Sequence, residues 1–270
     1  MNVHSVRLPM LGAAYYPEAW DESEQAHDIA MMQKADITVV RIGEFAWHNM
    51  EPREGEFDFS WLHRCLDRLE AAGIRVILGT PSACPPIWLE EKHPEMRLID
   101  DTDQRHQHGG RRHCCSNNPD YLYYSVRIAE EMVKEFGYHP NVIGWQIDNE
   151  IAAFEYGCYC PHCVREFQNH LRSRYGTIEN LNKRWNLNLF SQAYDDFSQV
   201  PQPRENTGQR ISVIPTQEVR KAPDSFRNPV LFMKASYLPL FLKSSSIFLF
   251  QSADTGREAR KSQTVSQTAS

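Results

Sequence analysis

The stretch FSWLHRCLDRLEAAGIRVILGT, residues 59–80, carries the reading of the fold. Its first part places apolar residues at helical spacing and closes on Gly73, a residue free to take the positive φ that ends a helix. It then passes into the short apolar run RVILGT (75–80), which reads as a strand buried on both faces, as in parallel sheets. The same pairing recurs on either side. Upstream, DESEQAHDIAMMQKA (21–35) opens with an Asp cap and early acids and precedes ITVVRIG (37–43). Downstream, YLYYSVRIAEEMVKEFG (121–137), closed by Gly137, precedes VIGWQID (142–148). With LGAAYY (11–16) as a first strand, about four strands fit before residue 155. This alternation predicts an α/β fold with parallel strands. A closed (β/α)8 barrel takes about 250 residues of such rhythm. The expectation is an incomplete TIM (β/α)8 barrel, roughly its first half, followed by an irregular tail.

The rhythm stops near residue 207. Residues 1–207 hold 20 Lys and Arg against 31 Asp and Glu, whereas residues 208–270 hold 9 against 4. All six tryptophans lie before residue 186. The chain therefore divides into a barrel-like part, 1–207, and an aberrant part, 208–270. The second part contains VLFMKASYLPLFLKSSSIFLF (230–250) and reads either as a disordered tail with one sticky segment or as a shifted reading frame.

Composition narrows the class. An apolar content of 41% indicates a globular protein, and a net charge of −6 gives no reason to expect nucleic acid or acidic membranes as partners. No apolar run reaches the ~18 residues of a membrane span, and MNVHSVRLPMLGAAYYPEAW lacks the basic and apolar regions of a signal peptide. Seven cysteines without such a signal point to a reducing, cytoplasmic setting, where metal ligation is expected before disulfides.

Two stretches carry chemistry. In WQIDNEI (145–151) the residues Asp148, Asn149 and Glu150 fall at a strand's C-terminal end, where barrels keep their chemistry. A partly desolvated carboxyl there can donate a proton near neutral pH, and an adjacent amide can bond a sugar hydroxyl. The plainer reading of Glu150 is a helix-starting acid favoured by the macrodipole. In CYCPHC (158–163) the thiols of Cys158, Cys160 and Cys163 are close enough to share one ion, and thiolates select Zn2+. A tetrahedral site needs a fourth ligand. Cys115, after the preceding strand, is the natural candidate, with His162 and His113 as fallbacks; Cys114 is expected to point elsewhere. Cys65 and Cys84 read as packing residues.

The strand-end Asn-Glu pair resembles that of retaining glycosidases built on (β/α)8 barrels. RIGEFAWHNMEPREGEFDFSWL (41–62), YYPEAW (15–20), GGRRHCCSNNPDY (109–121) and QPRENTG (202–208) resemble the motifs of glycoside hydrolase family 42 β-galactosidases, in the family's order. The resemblance implies hydrolysis of terminal β-D-galactosyl residues by double displacement. It implies Glu150 as acid/base, Asn149 and Arg111 as substrate-binding residues, and a structural Zn2+ on Cys115, Cys158, Cys160 and Cys163. Its substrate would be a β-galactoside and its assembly, were the chain complete, a homotrimer. Trp47 and Phe45 are candidates for walling the sugar site, and Glu44 for orienting Arg41. Without the motif, the plainer reading of Arg111 is a surface arginine among several, with Arg105 and Arg112.

A retaining glycosidase also needs a nucleophile carboxylate about 5–5.5 Å from the acid/base. No carboxylate after Glu150 offers itself at a strand end, so the sequence predicts a chain lacking its nucleophile and inactive alone. The alternative is a non-catalytic, zinc-stabilised sugar-binding remnant that keeps Arg111, Asn149 and Glu150 for recognition.

Overall fold

The computed structural model describes residues 10–150 and 157–204. The expectations for the tail, and the boundary at 207/208, lie outside them.

Strand β1 (Gly12–Ala14) leads into α1 (Glu22–Lys34), whose first amides are capped by the Asp21 carboxylate. Strand β2 (Val39–Ile42) is followed by a short helix, α2 (Trp47–Met50), and by α3 (Ser60–Ala71). Strand β3 (Arg75–Gly79) leads through α4 (Ile87–Lys92) to α5 (Pro119–Phe136), which Asn118 caps by accepting from the amides of Asp120 and Tyr121. Strand β4 (Val142–Gln146) precedes α6 (Pro161–Tyr175) and α7 (Ile178–Trp185). The four strands form one parallel sheet in the order β1-β2-β3-β4, with Val40 beside Val76 and Leu78 beside Trp145. Four consecutive βα units of a (β/α)8 barrel are thus in place, as the alternation predicts.

Side-chain parity along the strands divides the two faces. Val40, Ile42, Val76, Leu78 and Trp145 pack into the helical layer against Leu62, Leu66 and Leu69 of α3 and Ile128, Met132 and Phe136 of α5. The opposite parity gives Arg41, Ile77, Gly144 and Gln146 to the barrel interior. A smaller cluster of Leu171, Leu181, Trp185, Leu187 and Phe197 joins α6, α7 and the segment beyond them. Gly73 closes α3 at φ +73, whereas Gly137 follows α5 in a right-handed conformation, φ −61. Glycine is needed at Gly137 for room: a Cβ there would stand 2.5 Å from the Val133 carbonyl oxygen.

Candidate active site at the strand mouths

The C-terminal ends of β2, β3 and β4 and the segment 109–118 meet at one face. After β2 the chain turns at Gly43, and Glu44 lies so close to β3 that a Cβ on Gly79 would be 2.5 Å from its Cβ. Glu44 is fully buried and accepts from Arg41 Nε at 2.9 Å, as expected of its orienting role. Burial pushes its carboxyl above the usual carboxylate range, against the pull of the Arg41 guanidinium. Phe45 stacks on Tyr16, with centroids 5.6 Å apart, and carries the Arg111 guanidinium 5.3 Å over its ring. Trp47 departs from expectation. It starts α2, is fully buried, and donates its indole N–H to Glu51, so it belongs to the core and does not wall the site.

At the mouth of β4 the backbone bends sharply: Asp148 and Glu150 both take left-handed conformations, φ +58 and +48. For non-glycine residues such geometry costs about 1–2 kcal/mol each and persists only where surroundings enforce it. The buried Asp148 carboxylate is that enforcement. It accepts from Ser82 Oγ at 2.9 Å, from Arg112 Nη1 at 2.8 Å and from the Asn149 amide at 2.8 Å. Its own amide donates to Thr80 Oγ1 at 2.8 Å. Arg112 also donates to the Asn149 carbonyl at 3.1 Å, and its backbone N–H reaches the Ala83 carbonyl at 2.8 Å. Arg112 is therefore no surface arginine; its side chain is 14% exposed. Neither Asp148 nor Arg112 receives a role from sequence reasoning. Their only signal is position, at the strand end beside Asn149 and in the GRRHCC run beside Arg111.

The three expected site residues meet here. Arg111 Nη1 lies 3.3 Å from Glu150 Oε2, and the Glu150 side chain is 20% exposed. Asn149 is buried and its Oδ1 accepts from Gln146 Nε2 at 3.1 Å. Its Nδ2 is buried with no partner among the described residues.

The four expected thiols also meet. Cys115 Sγ is 3.3 Å from Cys163 Sγ and 3.4 Å from Cys160 Sγ, and all four, with Cys158, lie within 4.8 Å of one another. Sulfurs about 2.3 Å from a tetrahedral zinc stand about 3.8 Å apart, so this donor set fits the ion in number, type and spacing. Asn117 Nδ2 donates to Cys163 Sγ at 3.2 Å, a further bond holding a ligand in place. Cys114 joins the main core instead, and the fallback imidazoles are engaged elsewhere: His113 with Glu90, His162 with Arg165. Cys65 is core, as expected; Cys84 is half-buried beside Gly110, its thiol pushed by burial up to about 11.

Parallel βα units with a carboxylate, an amide and a guanidinium gathered at the strand mouths define part of a (β/α)8 barrel with a candidate active site at its C-terminal face. The comparisons narrow it. The family model for glycoside hydrolase family 42, described as β-galactosidase, matches residues 14–220. Among similar proteins are the β-galactosidase YesZ of Bacillus subtilis (strain 168), 42% identical over 192 residues, and the β-galactosidase BgaA of a Thermus species, 41% identical over 195. These alignments cover 71% and 72% of this chain. The crystal structure of the β-galactosidase from psychrophilic Marinomonas ef1 matches with a TM-score of 0.69 and 37% identity over 73% of this chain. The chain belongs to glycoside hydrolase family 42. It spans 29% of the length of YesZ, and 30% of BgaA and of the Marinomonas enzyme.

Proposed function

We propose that these residues serve a retaining β-galactosidase, with Glu150 as acid/base and Asn149 and Arg111 holding the terminal galactose. The observation that carries the reading is the mouth of β4. There Glu150 is held by an arginine at 3.3 Å, next to a buried amide whose donor has no partner among the described residues. A ground-state sugar hydroxyl supplies the acceptor Asn149 lacks. Arg111 orients the Glu150 carboxyl, which would give its proton to the departing aglycone and then activate water. Stacking on Phe45 keeps the guanidinium in that position. Asp148 and Arg112 position the turn without touching substrate. The second carboxyl of the mechanism is not assigned to any described residue.

The reading extends to a structural Zn2+ on Cys115, Cys158, Cys160 and Cys163. Four thiolates leave no open position for water, so the ion would tie the segment bearing Arg111 to the start of α6 and take no part in chemistry. Seven free thiols support a reducing, cytoplasmic setting. A homotrimer remains the assembly that the family resemblance implies.

The test uses the 270-residue chain with aryl β-galactosides and β-glucosides, scored above spontaneous hydrolysis. Turnover specific for galactosides is expected, at least ~10³-fold below a complete relative if no nucleophile is present. Glu150→Gln should abolish it for p-nitrophenyl galactoside. It should spare part of it for the 2,4-dinitrophenyl derivative, whose leaving group needs no acid. Azide should restore Glu150→Ala as a β-galactosyl azide only if a carboxylate of the chain first forms the glycosyl-enzyme that azide then opens. Turnover indifferent to Glu150→Gln sinks the acid/base assignment, and galactose binding without any turnover leaves only the recognition half of the proposal.

A further inference from the structure

Away from the thiols and the strand mouths, helix α4 presents a buried carboxylate to two histidines from the long segment before α5. Glu90 is 2% exposed and His113 3% exposed. Glu90 Oε1 lies 2.6 Å from His113 Nε2 and 2.6 Å from His108 Nδ1. The three ligand atoms fall within 4.8 Å of one another. The arrangement is incomplete as a set of hydrogen bonds. Both imidazoles crowd one carboxylate oxygen, while the other, Oε2, is buried without a partner among the described residues, as is His113 Nδ1. A buried carboxylate with one oxygen unsatisfied calls for a compensating charge.

We propose that Glu90, His108 and His113 form a second metal site, distinct from the cysteine cluster, for a borderline divalent cation such as Zn2+. Two neutral imidazoles and one carboxylate suit that ion, and imidazole nitrogens disfavour the oxygen-seeking Mg2+ and Ca2+. The cation would take both histidine nitrogens and draw in the carboxylate, including the oxygen now unpaired. The His108 side chain is 43% exposed, which gives the ion an entry route and leaves room for water as a fourth ligand. No electron or group transfer is involved; each neutral imidazole binds through the nitrogen that now faces Glu90, with its single ring proton on the other nitrogen. His113 stands two residues before Cys115, so metal at both sites would clamp residues 108–115 from both ends. That segment carries Arg111 and Arg112.

The measurement is equilibrium dialysis of the metal-free chain against buffered Zn2+ alone, with bound metal read by elemental analysis. Wild type should hold two equivalents; His108→Ala and Glu90→Gln should each hold one. Substituting Co2+ gives an independent readout, because thiolate–cobalt charge transfer reports the cysteine site and confirms the fold. That band should be the same in wild type and both variants. One equivalent in wild type overturns the proposal and makes the triad a hydrogen-bond cluster only. Retention of the second equivalent by His108→Ala also overturns it and moves the ion to another place, such as His93, Glu95 and Asp120.

Discussion

Asp148 converts a strand end into a site, and its worth can be measured. Removing one member of a buried ion pair strands the other, at a typical cost of about 3–5 kcal/mol. With the Asp148 side chain fully buried and Arg112 at 14% exposure, Asp148→Ala should fall near the lower end of that range in urea unfolding. Adding Arg112→Met to Asp148→Ala should recover part of the loss, because no unpaired guanidinium remains. A second residue makes stability depend on pH. Burial raises the Glu18 carboxyl from its ordinary value of 4.5 to about 7. Between about 4.5 and about 7 the folded chain therefore holds more protons than the unfolded one. Stability contributed by this group is full below about 4.5 and lost as pH rises through about 7. Denaturation midpoints of wild type should fall across that window, and Glu18→Gln should flatten the fall. A wild-type midpoint that rises across the window, unchanged by the substitution, would show that other groups govern it.

At the scale of elements, the fit between neighbours decides tolerance. Gly79 ends β3 against the backbone of Glu44, where a Cβ would lie 2.9 Å from the Glu44 Cα as well as 2.5 Å from its Cβ. Neither is a flexible side-chain end, so Gly79→Ala must displace the β2 loop. The expected cost is about 1–3 kcal/mol, together with weaker ligand binding as Phe45 and Arg111 shift. Calorimetric unfolding and galactose titration of the variant check both. The four strands were legible as compact apolar runs, and α1, α3 and α5 by their spacing and local signals such as Asp21 before α1 and Gly73 after α3, whereas α2, α4, α6 and α7 were not delimited. The turn at Asp148 was not legible, since its causes lie 36 residues away at Arg112 and 66 away at Ser82. Trp47 was misread for a related reason. Proximity to a strand end suggests the site, but its fate was set by Glu51 one helical turn on, which takes its N–H inward. The thiols were readable because three sit within six residues and the fourth follows a strand end.

For the molecule as a whole, the cysteine cluster ties together parts that keep separate cores, alongside the Tyr159 amide on the Ile99 carbonyl and the Arg204–Asp103 ion pair. Cys115 precedes α5, packed in the main core, while Cys160 and Cys163 open α6, whose apolar face belongs to the smaller cluster with α7. Cys160→Ser, or stripping metal with a chelator, should lower unfolding free energy by about 3 kcal/mol or more, the linkage expected of a ligand well above its Kd. Thermal unfolding with and without added Zn2+ tests this; equal midpoints would leave the thiols a metal-free packing cluster. No helix among the described residues is long and apolar enough to cross a membrane. The strictly sequential strand order, β1-β2-β3-β4, has a bearing on biogenesis. A nascent chain leaves the ribosome N-terminus first, so each arriving strand finds its hydrogen-bonding neighbour already outside the tunnel and the sheet can grow like staves set one after another. Within the described sheet, β2, β3 and β4 each follow a neighbour already translated. The turn that bears Glu150 is laid down on the last of these strands, against a support synthesised before it.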